Sequence, residues 1–416
     1  MKRAFVIGAG LSGLCAATRL AERGVHVSLF EAAGQAGGRC RSYFDPALDQ
    51  AIDNGNHLVL SGNRAVAAYL ARIGAGTSLT GPDKACFDFM DLGSGARWRL
   101  APNEGPVAWW IAAPPRRVPD TKAMDYLAYA KLIFADRGKT IGDVLPCKGA
   151  LWDRLMQPFL LAALNTEPRE ASAALAGAVL RETLARGGRA YRPRIATPTL
   201  AAAFVDPALA FLQKHGTAVS FGRRLRAVAF GGRHAVALEF PDATVPLAAD
   251  DALVLAMPPW VAQEIVPGLA VPDDFRSIVN AHFKIAAPPG APAMLGVTGG
   301  TAEWIFAFPD RISVTVSGAD AIVDEPRDRL AATLWSDVAR ALGLPDALPP
   351  WQIVKEKRAT FAATPAQDAR RPKAATRWPN LFLAGDWTAT GLPATIEGAL
   401  RSGETAATLA LRHLSL

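Results

Sequence analysis

The 416 residues are half apolar and one fifth charged, which calls for a sizeable core, makes two domains the natural arrangement and leaves surplus apolar surface for a cavity or a membrane-facing patch. The net charge is +7, but Lys and Arg are scattered without a basic run or an aromatic-interleaved basic motif; no nucleic acid is expected, and attraction to anionic lipid headgroups suits the composition better. Cys15, Cys40, Cys86 and Cys147 lie far apart without metal-ligand spacing, and no apolar run is long enough to span a bilayer, so the chain reads as reduced, cytoplasmic, metal-free and without a disulfide framework.

The opening "MKRAFVIGAGLSGLCAA" imitates an export signal, but its glycines are placed for another purpose. "RAFVI" (3–7) is a short buried strand. "GAGLSG" then sets Gly8, Gly10 and Gly13 in a G-x-G-x-x-G frame around Leu11 and Ser12, and "LCAATRLAERG" continues as an apolar-periodic helix closed by Gly24. A second strand, "VHVSLF" (25–30), runs into Glu31. Gly8 permits the tight turn, Gly10 lets backbone approach a pyrophosphate, and Gly13 lets the helix pack on the strand. The helix N-terminus offers free N–H groups to phosphate oxygens, and Glu31 accepts from ribose hydroxyls, which suits NAD or FAD and argues against a 2′-phosphate. In "AAGQAGGRCRS", Gly37 and Gly38 form a mobile turn that places Arg39 to clamp a pyrophosphate bidentately.

Next, "AIDNGNHLVLSG" (51–62) wedges Asp53, Asn54, Gly55, Asn56 and His57 between apolar runs, a costly arrangement unless something there needs polar groups. "PVAWWIAAPPRR" sets Trp109, Trp110 and Ile111 before two prolines, Arg116 and Arg117; it reads either as an interfacial anchor or as a core edge with a solvated basic turn. "WDRLMQPFLLAALNTEPREASAAL" (152–175) is a helix with a broad apolar face, broken at Asn165, Thr166 and Pro168. Further on, "DDALVLAMPPW" (250–260) is a buried strand closed by Pro258 and Pro259. "NLFLAGDW" is another, ending in Gly385 and Asp386, before a helix with Pro393 in its first turn.

The dinucleotide fingerprint followed by Gly37-Gly38-Arg39 resembles the flavin amine oxidase superfamily. The phrases "DNGNHLVLSGN", "PFLLAALNTEP", "SAALAGAVLRETL" and "LAGDWTATGLPATIEGAL" resemble, from end to end, its squalene-associated branch, the hydroxysqualene dehydroxylases of bacterial hopanoid pathways. The resemblance implies an α/β and α+β fold: a discontinuous Rossmann-type FAD-binding domain (1–75, 205–262 and 375–416) with an interleaved substrate-binding domain (76–204 and 263–374). It places Asn54, Gly55, Asn56 and His57 beside the flavin and Leu225 against adenine. It puts Gly385 and Asp386 near the pyrophosphate and ribitol. The helix that starts with Thr395 and Ile396 then aims its N-terminus at the flavin N1/C2=O edge. Asn56 departs from the D-x-G-G and D-x-G-P-H of relatives.

The implied chemistry is reduction of a long polyisoprenoid alcohol, with hydride from reduced flavin and a proton donor for the leaving hydroxyl. His57 and Asp88 (in "CFDFMD") are the candidate acids; a backbone-bonded ring and a core-edge carboxylate are their plainer readings. No second G-x-G-x-x-G supplies a nicotinamide site, so the external electron donor is unassigned. The water-insoluble substrate implies a protein attached peripherally to the inner face of the membrane. The rivals are an oxidative carotenoid-type desaturase or amine oxidase, and a flavin-free prenyl-chain carrier of the same fold.

Overall fold

The computed structural model describes residues 2–416. The chain opens with β1 (Arg3–Ile7), α1 (Leu11–Glu22) and β2 (His26–Phe30), followed by α2 (Arg64–Arg72), β3 (Phe87–Asp91) and β4 (Arg97–Leu100). A largely helical middle holds α3 (Gln157–Leu164), α4 (Ala173–Glu182) and α5 (Asp206–Lys214), and leads to β5 (Val219–Ser220) and β6 (Ala252–Leu255). Then come β7 (Phe275–Phe283), β8 (Met294–Thr298), β9 (Trp304–Ala307), β10 (Ile312–Val316), α6 (Arg327–Leu342), β11 (Trp351–Phe361), β12 (Leu381–Leu383) and α7 (Ile396–His413).

Strands buried on both faces read as unbroken apolar runs, and β1, β6 and β12 are of this kind. They lie in a parallel sheet of order β5-β2-β1-β6-β12. One face (Ala4, Val6, Val254, Phe382) packs under α1 and α7. The other (Phe5, Ile7, Leu253, Leu383) joins the largest apolar cluster.

A second sheet has the order β11-β7-β10-β9-β8-β3-β4, antiparallel except where β8 meets β3. Alternation splits it cleanly. Val279, Ala281, Ile305, Val314 and Val316 bury against α6, whose Leu334 and Trp335 fill that side. Phe89, Trp98, Trp304 and Phe306 face the other way, into the cluster that also backs the first sheet.

Three local expectations change. Pro258 and Pro259 do not simply close the strand; Pro259 begins a short helix, Pro259–Ile265, where a missing N–H costs nothing. The C-terminal helix starts three residues after Pro393, capped by Thr395, whose Oγ1 accepts from Gly398 N at 3.0 Å. The paired tryptophans part company. Trp109 is 55% exposed with Arg116 over its ring at 4.6 Å, whereas Trp110 is 5% exposed and meets Tyr126 edge-to-face at 5.2 Å. Among the described residues no helix is long and apolar enough to cross a membrane, and all four cysteines are free.

Two buried polar residues brace the frame. Asn165 ends α3 in the left-handed region (φ 48°); its Oδ1 accepts from Gly318 N at 2.6 Å and its Nδ2 donates to Thr360 Oγ1 at 2.9 Å. Glu397, in the first turn of α7, accepts from Ala65 N (3.1 Å) and Val66 N (3.0 Å), the free donors at the start of α2, and pairs with Arg401 at 3.1 Å. Glu397→Ala should therefore lower unfolding free energy by about 2 kcal/mol, since hydrogen bonds to a buried charged group are lost; a urea titration of the two proteins measures it.

Candidate active site

The turn between β1 and α1 is built on close backbone approach. A Cβ on Gly8 (φ 104°) would stand 2.3 Å from the Ala256 carbonyl oxygen, and one on Gly13 1.8 Å from that of Gly8. Gly10 is different: a Cβ there would meet nothing within 4 Å. It precedes Leu11, Ser12 and Gly13 at the N-terminus of α1, and no side chain caps that end. An uncapped helix N-terminus opening onto clear space is a cradle for phosphate oxygens. Glu31 stands at its mouth, Oε2 accepting from Ala9 N (2.7 Å) and Oε1 from Ala33 N (2.8 Å), with a lone pair left on each oxygen. The Gly37-Gly38 turn docks on the loop through Gly37 N to Ala9 O at 2.8 Å. These residues fit the dinucleotide half of FAD.

Arg39 extends from that turn to Asp386, Nη2 to Oδ2 at 2.7 Å, and also donates to the Ala359 carbonyl. Both residues are expected near a pyrophosphate, and the fold brings them together from opposite ends of the chain. Behind Asp386, a Cβ on Gly385 would strike the Trp387 indole at 2.3 Å; Trp387 Nε1 donates to Met257 O at 2.9 Å. The loop is latched by Arg371, fully buried, which donates to Asp386 O at 3.0 Å, Thr388 O and Thr390 Oγ1 at 2.8 Å. No pattern in the sequence pointed to Arg371.

The Asp53–His57 segment runs against the second sheet. Asp53 is buried: its Oδ1 accepts from Ser42 Oγ (2.6 Å) and Leu200 N (2.9 Å), and its Oδ2 lies 3.7 Å from Arg311 Nη2. Asn56 donates from its backbone to Asn280 Oδ1 (3.4 Å) and from Nδ2 to Thr315 Oγ1 (3.2 Å). His57 is half-buried beside Arg39; burial first, then that positive charge, pushes its imidazole down to about 4, so the ring is neutral near pH 7. Leu225 is buried in the large cluster.

Asp88 is not brought to this place. It pairs across the strand with Leu295, on the α6 side of the second sheet, and its carboxylate is bound to Arg99 at 2.7 Å. Asn280 and Thr315 line the opposite face, the one that sequence reasoning missed because both lie in strands far from any motif. Just beyond Thr315, Glu303 accepts from Ser317 N at 2.8 Å and lines a cavity of 270 Å³ with Leu161, Arg276 and Gly318. Burial pushes its carboxyl up to about 7.

Residues 11–411 match the family of flavin containing amine oxidoreductases, and the chain belongs to that family. It is an FAD-dependent oxidoreductase. Within the family it is 55% identical to hydroxysqualene dehydroxylase of Rhodopseudomonas palustris over 99% of this chain and 98% of that one. It is 50% identical to the protein of the same name from Sinorhizobium fredii, with 99% and 98% covered. The crystal structure of an oxidoreductase from Methanosarcina mazei shares the fold, with a TM-score of 0.73 at 14% identity over 98% of this chain and all of that one.

Glu303 gives the site a pH signature. Its folded value lies above the unfolded 4.5, so the folded state holds a proton that the unfolded chain releases; stability falls as pH rises from about 4.5 to about 7. Glu303→Gln, which keeps an acceptor for Ser317 N, should flatten that slope. Thermal melts of both proteins at pH 5 and pH 8 compare them, and parallel pH profiles would refute the assignment.

Proposed function

We propose that this protein reduces hydroxysqualene to squalene, as a hydroxysqualene dehydroxylase. The observation that carries the reading is the near end-to-end identity with proteins of that name. In this reading residues 1–75, 205–262 and 375–416 bind FAD, and 76–204 and 263–374 enclose the substrate. Gly8, Gly10, Leu11, Ser12 and Gly13 hold the pyrophosphate with Arg39, Asp386 and Gly385. Gly37 and Gly38 shape the turn, Glu31 takes the ribose hydroxyls and Leu225 the adenine. Thr395 and Ile396 set the N-terminus of α7 against the ring, beside Asn54, Gly55, Asn56 and His57.

When bound and reduced, FAD supplies a hydride to the allylic carbon; with one proton, a C–O bond is replaced by C–H and water leaves. The protein's task is to orient the alcohol, exclude bulk water and deliver that proton as the bond breaks, because hydroxide is a poor leaving group. The apolar cluster that contains Phe89, Trp98, Trp304 and Phe306 keeps that side of the second sheet dry. His57, neutral near pH 7, is a polar neighbour of Arg39 in this scheme.

The test is anaerobic. Hydroxysqualene added to the reduced protein should restore the oxidised flavin spectrum and yield one squalene per flavin. Bleaching of oxidised flavin by a polyprenyl chain or an amine, with no reoxidation by the alcohol, would overturn the reading in favour of an oxidative one.

A water-insoluble substrate also argues for attachment to a lipid surface. Val107, Trp109, Met124, Leu127 and Phe134 are all more than half exposed and fall in one short segment, with Phe134 at 86%. Lys122 and Lys131, both exposed, stand among them to meet anionic headgroups, while Arg116 and Arg117 donate to backbone carbonyls and brace the segment. Trp110, being buried, is no part of this surface. Replacing Trp109 and Phe134 together by serine should move the protein from anionic liposomes to the supernatant on flotation, with flavin content unchanged; undiminished flotation would remove the segment from the interface.

A further inference from the structure

The direction of every hydrogen bond around Asn56 is forced, and one acceptor is left over. A backbone N–H can only donate, so the atom of Asn280 facing Asn56 N at 3.4 Å is the carbonyl Oδ1; its amide nitrogen then faces the Asn54 carbonyl at 3.5 Å. The same Oδ1 receives the hydroxyl hydrogen of Thr315 at 2.7 Å. Having given up its only proton, Thr315 Oγ1 can only accept, so Asn56 must present its amide nitrogen to it, at 3.2 Å. The side-chain carbonyl of Asn56 is therefore held outward. It is buried and has no partner. A buried acceptor without a donor calls for a ligand that brings one.

What lies beside it is a single row of side chains across the second sheet. Asn280 is paired in register with Thr315, Thr315 with Trp304, Trp304 with Gly296, Gly296 with Phe89, and Phe89 with Trp98. Register partners place their Cβ atoms about 5 Å apart on one face, so the polar group leads directly onto an aromatic track. Gly296 is needed for the track: a Cβ there would stand 2.5 Å from the Phe89 ring. Without one, Phe89 and Trp304 meet edge-to-face at 5.8 Å, and Trp98 stacks on Phe89 at 5.5 Å.

We infer that Asn56 Oδ1, oriented by Asn280 and Thr315, accepts the hydroxyl proton of a polyprenyl alcohol whose hydrocarbon chain lies over Trp304, Phe89 and Trp98. The inference rests on the dehydroxylase reading and adds the group that distinguishes substrate from product. A hydroxyl that donates to Asn56 keeps both oxygen lone pairs free for the incoming proton, and the donated bond makes that oxygen more basic. The adjoining allylic carbons then fall against the electron-rich face of Trp304, which opposes the positive charge that develops as water departs. The product has no hydroxyl and forfeits the bond, which favours exchange of hydrocarbon for alcohol. Asn56 is a positioning residue in this scheme; the proton comes from elsewhere.

The experiment titrates the oxidised holoenzyme with hydroxysqualene and, separately, with squalene in the same detergent, following the flavin spectrum. The wild-type protein should bind the alcohol more tightly than the hydrocarbon. Asn56→Leu and Thr315→Val should each weaken alcohol binding by about tenfold, the scale of one lost hydrogen bond, and leave squalene binding unchanged. Thr315→Ser, which keeps the hydroxyl, should restore the preference. Variants that retain flavin and the wild-type preference would overturn the inference. So would loss of flavin from Asn56→Leu with the preference intact in Thr315→Val, since the carbonyl would then serve the cofactor. A wild-type protein that neither prefers nor converts the alcohol would instead refute the dehydroxylase reading itself.

Discussion

The proposed nucleotide cradle depends on three places where backbones meet closer than any side chain permits. Gly8 lies against Ala256, Gly13 against Gly8, and a Cβ on Gly403 would stand 2.4 Å from Ser12 O. The first contact holds the β1–α1 turn on the residue that follows β6, the second closes the turn on itself, and the third presses α7 onto α1. The start of α1 is thus fixed by three segments of chain at once. Its free N–H groups keep one direction, and Gly10 keeps its clear space, because nothing in this arrangement can shift independently. Dipoles held this way need no reorganisation when a charged ligand arrives.

From that fixed point the rest of the site is hung on polar links. Arg39 ties the glycine turn to Asp386, Arg371 ties the loop around Asp386 to itself, and Asp53 anchors the next segment to Ser42, Leu200 and Arg311. Asn56 then reaches the second sheet through Asn280 and Thr315. Each link has a buried polar group at one end at least, Asp386, Arg371, Asp53 or Asn280, expensive to leave unpaired and therefore specific about geometry. Apolar packing alone would let the two sheets slide on the large cluster that they share; these links set where they stop.

The sequence disclosed what local backbone chemistry demands and little of what distant packing demands. Gly8, Gly10, Gly13 and Glu31 were legible because a short turn, an open approach and a terminal acid leave a pattern within one strand–helix–strand unit. The break at Asn165 was legible too, but not its bonds to Gly318 and Thr360, which lie more than a hundred residues away. Glu397, Arg371, Asn280 and Thr315 were silent for the same reason. Asp88 shows a subtler limit. Alternation along β3 says that Asp88 and Phe89 point to opposite faces, but which face is covered by α6 is decided far downstream. Trp109 and Trp110 differ likewise: adjacency suggested one role for both, and Tyr126 drew one of them inside.

The order of the first sheet also has a consequence for how the chain comes off the ribosome. β6 pairs on one side with β1, made at the outset, and on the other with β12, whose residues emerge only after the whole second sheet has been synthesised. Until then Val254 and Leu255 present an unpaired, apolar edge, the kind of edge that recruits strands from other chains. Completion by β12 brings Asp386 and α7 with it, so the edge is covered and the cradle is finished in the same event. A chain translated only as far as β11 therefore lacks both the proposed nucleotide cradle and protection from its neighbours.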